Sequence, residues 1–277
     1  MEKEIIKLIG PKPGPVSIVM AGNHGNEKCG VKAFEELIPN LQIDCGTVMF
    51  ILGNVNALVV NTRFTEANLN RMFKPYEMLA DAEKYSYEYF RAQYLKQYFA
   101  ITSAILDIHS SSTIGSPPFV ICEQNAFAIA KNLPVEAIVY GFASANPGGV
   151  YSYVNSIGGT GIAIECGQHD DPNAKNIACK AIMSFLFSRG HVEKNSFLKN
   201  ESPPNFFEAY LIYKSKTDSF KKRKQFKDFE KVAKGEIVGF DGEEEIYAPE
   251  NSIILFAQDG KNVGDEVFVL SKIIQNH

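Results

Sequence analysis

Six consecutive residues, Gly22-Asn23-His24-Gly25-Asn26-Glu27, carry an imidazole and a carboxylate three positions apart. Those are donor types that a catalytic zinc accepts, and Gly22 and Gly25 allow the tight backbone turn that aims both at one point. A solvated loop with an ordinary histidine and a helix-start glutamate, favoured there by the helix dipole, has the same composition. The metal reading therefore needs a third donor elsewhere.

Residues 104–111, Ala-Ile-Leu-Asp-Ile-His-Ser-Ser, supply one. They read as an apolar strand that ends in His109 and then turns polar, and Asp107, two residues back, shares the face of His109. A carboxylate buried there needs a polar partner, which suits a ligand histidine backed by an acid; a satisfied core pair is the alternative. Two histidines and one carboxylate, His24, His109 and Glu27, leave a fourth position open for water, the catalytic form of a zinc site. Further along, Ile162-Ala163-Ile164-Glu165-Cys166-Gly167 sets a carboxylate in an apolar strand. Glu165 is a candidate general base beside such a water, or else the partner of a core Arg or Lys. Arg63, Asn70 and Arg71 lie in a long polar segment with interleaved Leu69, Met72 and Phe73, which argues for order. Guanidinium forks match carboxylates, so the three are candidates for anion recognition, with surface ion pairs as the plain alternative.

The elements around these residues follow from periodicity. Residues 16–21 read as a strand, a helix follows Glu27 to about Pro39, and residues 47–52 read as a second buried strand. That β-α-β order makes the sheet at least partly parallel. Residues 76–100 have a helical pattern rich in Tyr, Phe and Leu, residues 119–122 and 137–140 look like strands, and residues 126–132 form a short helix between them. The glycine-rich stretch 146–161 lacks phosphate-loop spacing and reads as a mobile loop bordering the site. Asp171-Pro172 supplies an N-cap and first-turn proline for a helix that stops at Arg189-Gly190. His169, His191 and His277 have no matching spacing. After a linker at residues 200–205, short strands at 206–213, 236–240, 253–256 and 267–270 give a change of character. The expected division is a catalytic domain over residues 1–199 and a small β-rich domain over 200–277.

With 277 residues and 45% hydrophobic content, the chain can bury a large core. A net charge of −4 gives no footprint for nucleic acid, and the basic stretch 214–227 reads as a solvated face. No run approaches the ~18 apolar residues of a membrane helix. Met1-Glu2-Lys3-Glu4 is too charged to open a secretory signal, so a cytoplasmic location is expected. The five cysteines include no C-x-x-C pair, which argues against a disulfide framework and a thiolate zinc site. Self-association into a homo-oligomer is left open.

Taken together, residues 22–27, Arg63, Asn68-Leu69-Asn70-Arg71, Asp107-Ile108-His109 and Ile164-Glu165-Cys166-Gly167 resemble the succinylglutamate desuccinylase and aspartoacylase family of zinc carboxypeptidase-like hydrolases. The resemblance implies an α/β fold with a mixed, largely parallel sheet flanked by helices, and a C-terminal β-rich domain. It implies one Zn2+ per chain held by His24, Glu27 and His109, with Glu165 activating water. Arg63 would polarise the scissile carbonyl, and Asn70 and Arg71 would hold the substrate's carboxylate. The implied activity is hydrolysis of an amide bond in a small carboxylate-bearing substrate, of the N-acyl amino acid deacylase type. A metallocarboxypeptidase for short peptides, or a zinc-containing binding protein without turnover, are the other readings. Aspartoacylases carry an arginine shortly before the catalytic glutamate; the matching stretch here, residues 151–159, contains none.

Overall fold

The computed structural model describes residues 3–142, 147–193 and 202–274. In chain order the first half comprises β1 (Ile5–Ile9), β2 (Lys12–Ala21), α1 (Cys29–Leu37), β3 (Cys45–Leu52), α2 (Val55–Val60), α3 (Tyr87–Phe99), β4 (Ala104–Ser111), β5 (Phe119–Cys122), α4 (Phe127–Ala130) and β6 (Ala137–Tyr140). Then come α5 (Val150–Ser156), β7 (Thr160–Gln168), α6 (Ala174–Ser188), β8 (Asn205–Lys214), β9 (Lys221–Lys222), β10 (Glu230–Val232), β11 (Ile237–Asp241), β12 (Glu244–Tyr247), β13 (Ser252–Leu255) and β14 (Glu266–Ile274).

Eleven strands form one sheet in the order β1-β3-β2-β4-β7-β5-β6-β8-β14-β13-β10. Its middle, β3-β2-β4-β7, is parallel, because the intervening helices carry the chain back before each new strand. The strands are buried on both faces, and their side chains alternate between two packed layers. Val19, Val48, Phe50, Leu106 and Ile108 pack with residues of α1 and α6. Ile18, Met20, Met49, Ile51 and Ile105 face the other way, toward α3, α5 and the segment containing Leu69, Met72 and Phe73. No helix among the described residues is long and apolar enough to cross a membrane.

The β-rich region is antiparallel, and four of its strands extend the main sheet. β8 pairs parallel with β6, Ala137 opposite Asn205 through Tyr140 opposite Glu208, and β14, β13 and β10 follow outward. β9, β11 and β12 make a separate three-stranded sheet. Of the expected linker, residues 200 and 201 lie outside the described residues, and Asn205 already begins β8.

Three local expectations are corrected. The helix expected over 76–100 starts only at Tyr87, after two short 3-10 turns; Ser86 caps it, accepting a hydrogen bond from Tyr89 N at 3.1 Å. In the stretch expected to be a mobile loop, the described part contains α5, whose Val150 and Val154, one turn apart, are buried in the core. Asn146 lies outside the described residues. Asp171 does not cap α6: the cap position is Asn173, whose N donates to Asp171 Oδ1 at 2.8 Å.

Candidate metal centre and substrate pocket

The chain leaves β2 at Ala21 and turns through Gly22, at φ 66°, where any other residue would be strained. A Cβ on Gly25 would fall 2.1 Å from the Ala57 carbonyl, so only glycine lets this loop lie against α2. The turn delivers His24 and Glu27 beside the end of β4. Because Ala21 is in register with Ile108, and His109 with Glu165 on β7, four residues from three adjacent strand ends meet at one place.

His24, Glu27 and His109 are buried, and their candidate ligand atoms lie within 4.8 Å of one another. Glu27 spans the two imidazoles, with Oε1 2.7 Å from His24 Nδ1 and Oε2 2.8 Å from His109 Nδ1. The outer ring nitrogens face acceptors: His24 Nε2 lies 3.1 Å from Asn68 Oδ1, and His109 Nε2 lies 2.8 Å from Asp107 Oδ2. A neutral imidazole that donates outward turns its Nδ1 lone pair inward. Two such lone pairs and a carboxylate then converge with no donor among them, a set that fits a cation.

In the metal-free protein a proton takes the place of that cation. Burial pushes His24 down to about 4, helped by the Arg63 charge, so this ring is neutral. Burial also opposes charge on His109, yet Asp107 and Glu27 together raise it well above its ordinary value. Burial works against the Glu27 carboxylate too, but the facing imidazoles hold it well below the usual range. A proton on His109 thus supplies the positive charge these carboxylates require.

The centre opens into a cavity of about 370 Å³ lined by Arg63, Asn70, Arg71, Tyr151, Glu165 and His169 among others. Glu165 Oε2, Tyr151 Oη and Asn26 Oδ1 are buried on this cavity without a hydrogen-bond partner among the described residues. Orphaned polar atoms clustered in one cavity mark a place for a ligand. Burial pushes the Glu165 carboxyl up to about 8, against the pull of His109 and with reinforcement from Glu27. Arg63 reaches the centre directly, its Nη1 donating to Glu27 Oε1 at 3.2 Å. Its loop is held by the buried Glu88 of α3, which accepts from Asn54 Nδ2 at 3.0 Å, Thr65 N and Oγ at 2.7 Å each, and Ala67 N at 3.1 Å.

Asn70 and Arg71 line the cavity, but both have protein partners. Asn70 Oδ1 accepts from Val150 N at 2.9 Å, fixing the start of α5. Arg71 places Nε 3.2 Å from Glu266 Oε1 and Nη2 2.5 Å from Glu266 Oε2, and gives Nη1 to the Asn70 carbonyl at 2.6 Å.

Sequence reasoning did not find Asn68, Tyr151 or Glu266. Asn68 carried a signal, since a side chain two residues before Asn70 in an ordered polar loop can cap a turn and still face inward; its Oδ1 accepts from Asn70 N at 3.0 Å. Glu266 carried none. His169 lines the cavity with Nδ1 2.9 Å from Ser110 Oγ, whereas His191 is buried between the Cys45 carbonyl at 2.9 Å and Ser17 Oγ at 2.8 Å. His277 lies outside the described residues.

Comparison with known proteins agrees with this architecture. A succinylglutamate desuccinylase from Vibrio cholerae superposes with a TM-score of 0.81 at 20% identity, covering 98% of this chain and 85% of that one. The product-bound ectoine utilization protein EutE (DoeB) of Ruegeria pomeroyi gives 0.71 at 19% identity, over 96% and 87%. In sequence, a probable aspartoacylase of Nostoc sp. is 30% identical over 122 residues, a match that spans 40% of this chain and 40% of that protein. The family model for the succinylglutamate desuccinylase/aspartoacylase catalytic domain matches residues 13–186, well over half of the chain and every candidate site residue before β8. This chain belongs to the succinylglutamate desuccinylase/aspartoacylase family.

Proposed function

We propose that this protein is a zinc-dependent hydrolase of the deacylase type, cleaving the amide bond of a small N-acyl amino acid. The observation that carries the reading is the convergence of His24 Nδ1, His109 Nδ1 and the Glu27 carboxylate on a cavity that is also lined by Glu165, whose Oε2 is orphaned. His24, Glu27 and His109 would hold the ion, with Asn68 and Asp107 fixing the imidazoles behind them. Zinc bound there supplies Lewis acidity, which makes water acidic near neutral pH and polarises a carbonyl.

The chain's own groups do the rest. Glu165 takes a proton from the attacking water and returns it to the departing amine; burial has already raised its affinity for that proton. Arg63, partly exposed at the cavity, stabilises negative charge developing on the carbonyl oxygen. Asn70 and Arg71 orient the substrate's carboxylate, Arg71 through the N–H groups that Glu266 and Asn70 leave over. We assign residues 1–199 to the catalytic unit and residues 200–277 to a β-rich unit, of which Ile212, Phe256, Glu266 and Val269 line the pocket.

Metal analysis followed by an amidase screen over N-acyl amino acids and dipeptides tests this reading. One zinc per chain and chelator-sensitive release of an amine from N-acyl amino acids is the expected result. Turnover that survives complete metal removal, or zinc bound without hydrolysis of any compound in the screen, would refute it.

A further inference from the structure

The cavity has a chemical asymmetry that bears on which N-acyl amino acid it accepts, and the inference rests on the hydrolase reading above. Among its described lining residues the acids are Glu27, Glu165 and Glu266, while the permanent cations are Arg63 and Arg71, with no lysine. Each arginine already faces a carboxylate, Arg63 that of Glu27 and Arg71 that of Glu266. A guanidinium has five N–H groups. Three of those on Arg71 are used, by the two oxygens of Glu266 and by the Asn70 carbonyl, and the remainder suffices for one carboxylate.

Part of the cavity lining is an apolar wall. Ile121 of β5, Ala163 of β7, Ile212 of β8, Phe256 and Val269 of β14 pack in one cluster there. It is a rigid wall: Phe119 packs against Phe229 at 5.1 Å and Phe256 at 5.5 Å between ring centroids. Phe256 itself is held at φ 55°, an unfavourable conformation for an aromatic residue, by its N–H bond to Asp228 Oδ1 at 2.7 Å. Asp228 is tied in turn to Ser116 Oγ at 2.6 Å and Ser111 Oγ at 3.3 Å. On the α5 side stands Tyr151, with a hydroxyl and no charge, in the segment that contains no arginine.

We infer that the substrate carries one carboxylate and an apolar group, so that the preferred class is N-acyl derivatives of aliphatic or aromatic amino acids rather than dicarboxylic compounds. A second carboxylate set against Ile121, Ile212 and Val269 would lose its hydration and meet no lysine or third arginine among the described lining residues, whereas an alkyl or phenyl group there buries apolar surface.

Binding and turnover separate this inference from the reading beneath it. N-acetylnorleucine, N-acetylphenylalanine, N-acetylaspartate and N-succinylglutamate are titrated calorimetrically into the full-length zinc-loaded Glu165→Gln protein, and the same four are assayed with wild type. The apolar pair binds ~10–100-fold more tightly than the dicarboxylates, the discrimination typical of a hydrophobic pocket. Ile212→Lys, at a half-buried wall position, narrows or reverses that ratio. Equal or tighter binding of the dicarboxylates, or no binding of any of the four, overturns the inference. Selective binding of the apolar pair with no wild-type turnover upholds it and overturns the hydrolase reading.

Discussion

Arg71 and Glu266, 195 residues apart in the chain, close a two-point ion pair across the pocket, Nε to Oε1 at 3.2 Å and Nη2 to Oε2 at 2.5 Å. The bond joins the polar loop of the matched family region to β14, between β8 and β13 in the sheet. It makes the β-rich region part of the pocket and sets how much of Arg71 is left for a ligand. Both side chains keep about a quarter of their surface exposed, so solvent screening discounts the pair. A double-mutant cycle with Arg71→Ala and Glu266→Ala, read by denaturant unfolding, should give a coupling of about 1 kcal/mol. A coupling near zero would show that the pair contributes no stability.

The imidazole of His109 depends on Asp107 for its orientation. Asp107→Asn keeps the shape but allows an amide donor to face Nε2, which favours the tautomer with its proton on Nδ1. Zinc affinity, measured by competition with a chromophoric chelator, should fall ~10–100-fold, the usual cost of losing a group behind a ligand histidine. Unchanged affinity would remove Asp107 from the metal-binding network.

Much of this site is legible in the sequence because its donors sit at the ends of apolar strands. A run such as residues 104–108 must be buried, so the first histidine beyond it is fixed in space by the sheet, and Asp107 is fixed with it by the period of two. The same logic reaches Glu165. It fails for Arg71, where a loop residue's partner depends on the tertiary approach of β14, and for Glu266, which in sequence is one more acid in a charged turn. The helix α5 is hidden for a different reason. Its seven residues lie between Gly148-Gly149 and Gly158-Gly159, too short for a period to emerge, and it forms because Val150 and Val154 find a core to pack into.

Glu88 offers a test by pH. Burial disfavours its charge, but the hydrogen bonds from Thr65, Asn54 and Ala67 outweigh this and lower its pKa below the model-peptide value near 4.5. A depressed carboxylate adds stability that is complete above the unfolded-state pKa and is lost as pH falls through the folded one. Wild type should therefore lose stability more steeply than Glu88→Gln in the window below about pH 4.5. At pH 7, Glu88→Ala should cost on the order of 3 kcal/mol, because several donors lose their acceptor at once. The displaced loop carries Arg63, so kcat should fall as well. Parallel acid limbs for wild type and Glu88→Gln would show that Glu88 does not carry this linkage.

The role of Glu165 rests on an oxygen that the protein itself leaves unsatisfied. Oε2 is buried, belongs to a residue that lines the cavity, and has no donor among the described residues, while the strand neighbour of Glu165 in register is His109. A carboxylate in such a place costs stability unless a ligand or a proton satisfies it, which is the ground for proposing it as the base. Glu165→Gln removes the base and keeps the size of the side chain. The expected outcome is zinc content and thermal midpoint close to wild type, with kcat lower by the ~10²–10⁴ typical of losing a general base. Surviving turnover would make Glu165 structural. Loss of zinc together with activity would make it a ligand, and metal stoichiometry and kcat measured on one preparation distinguish the three cases.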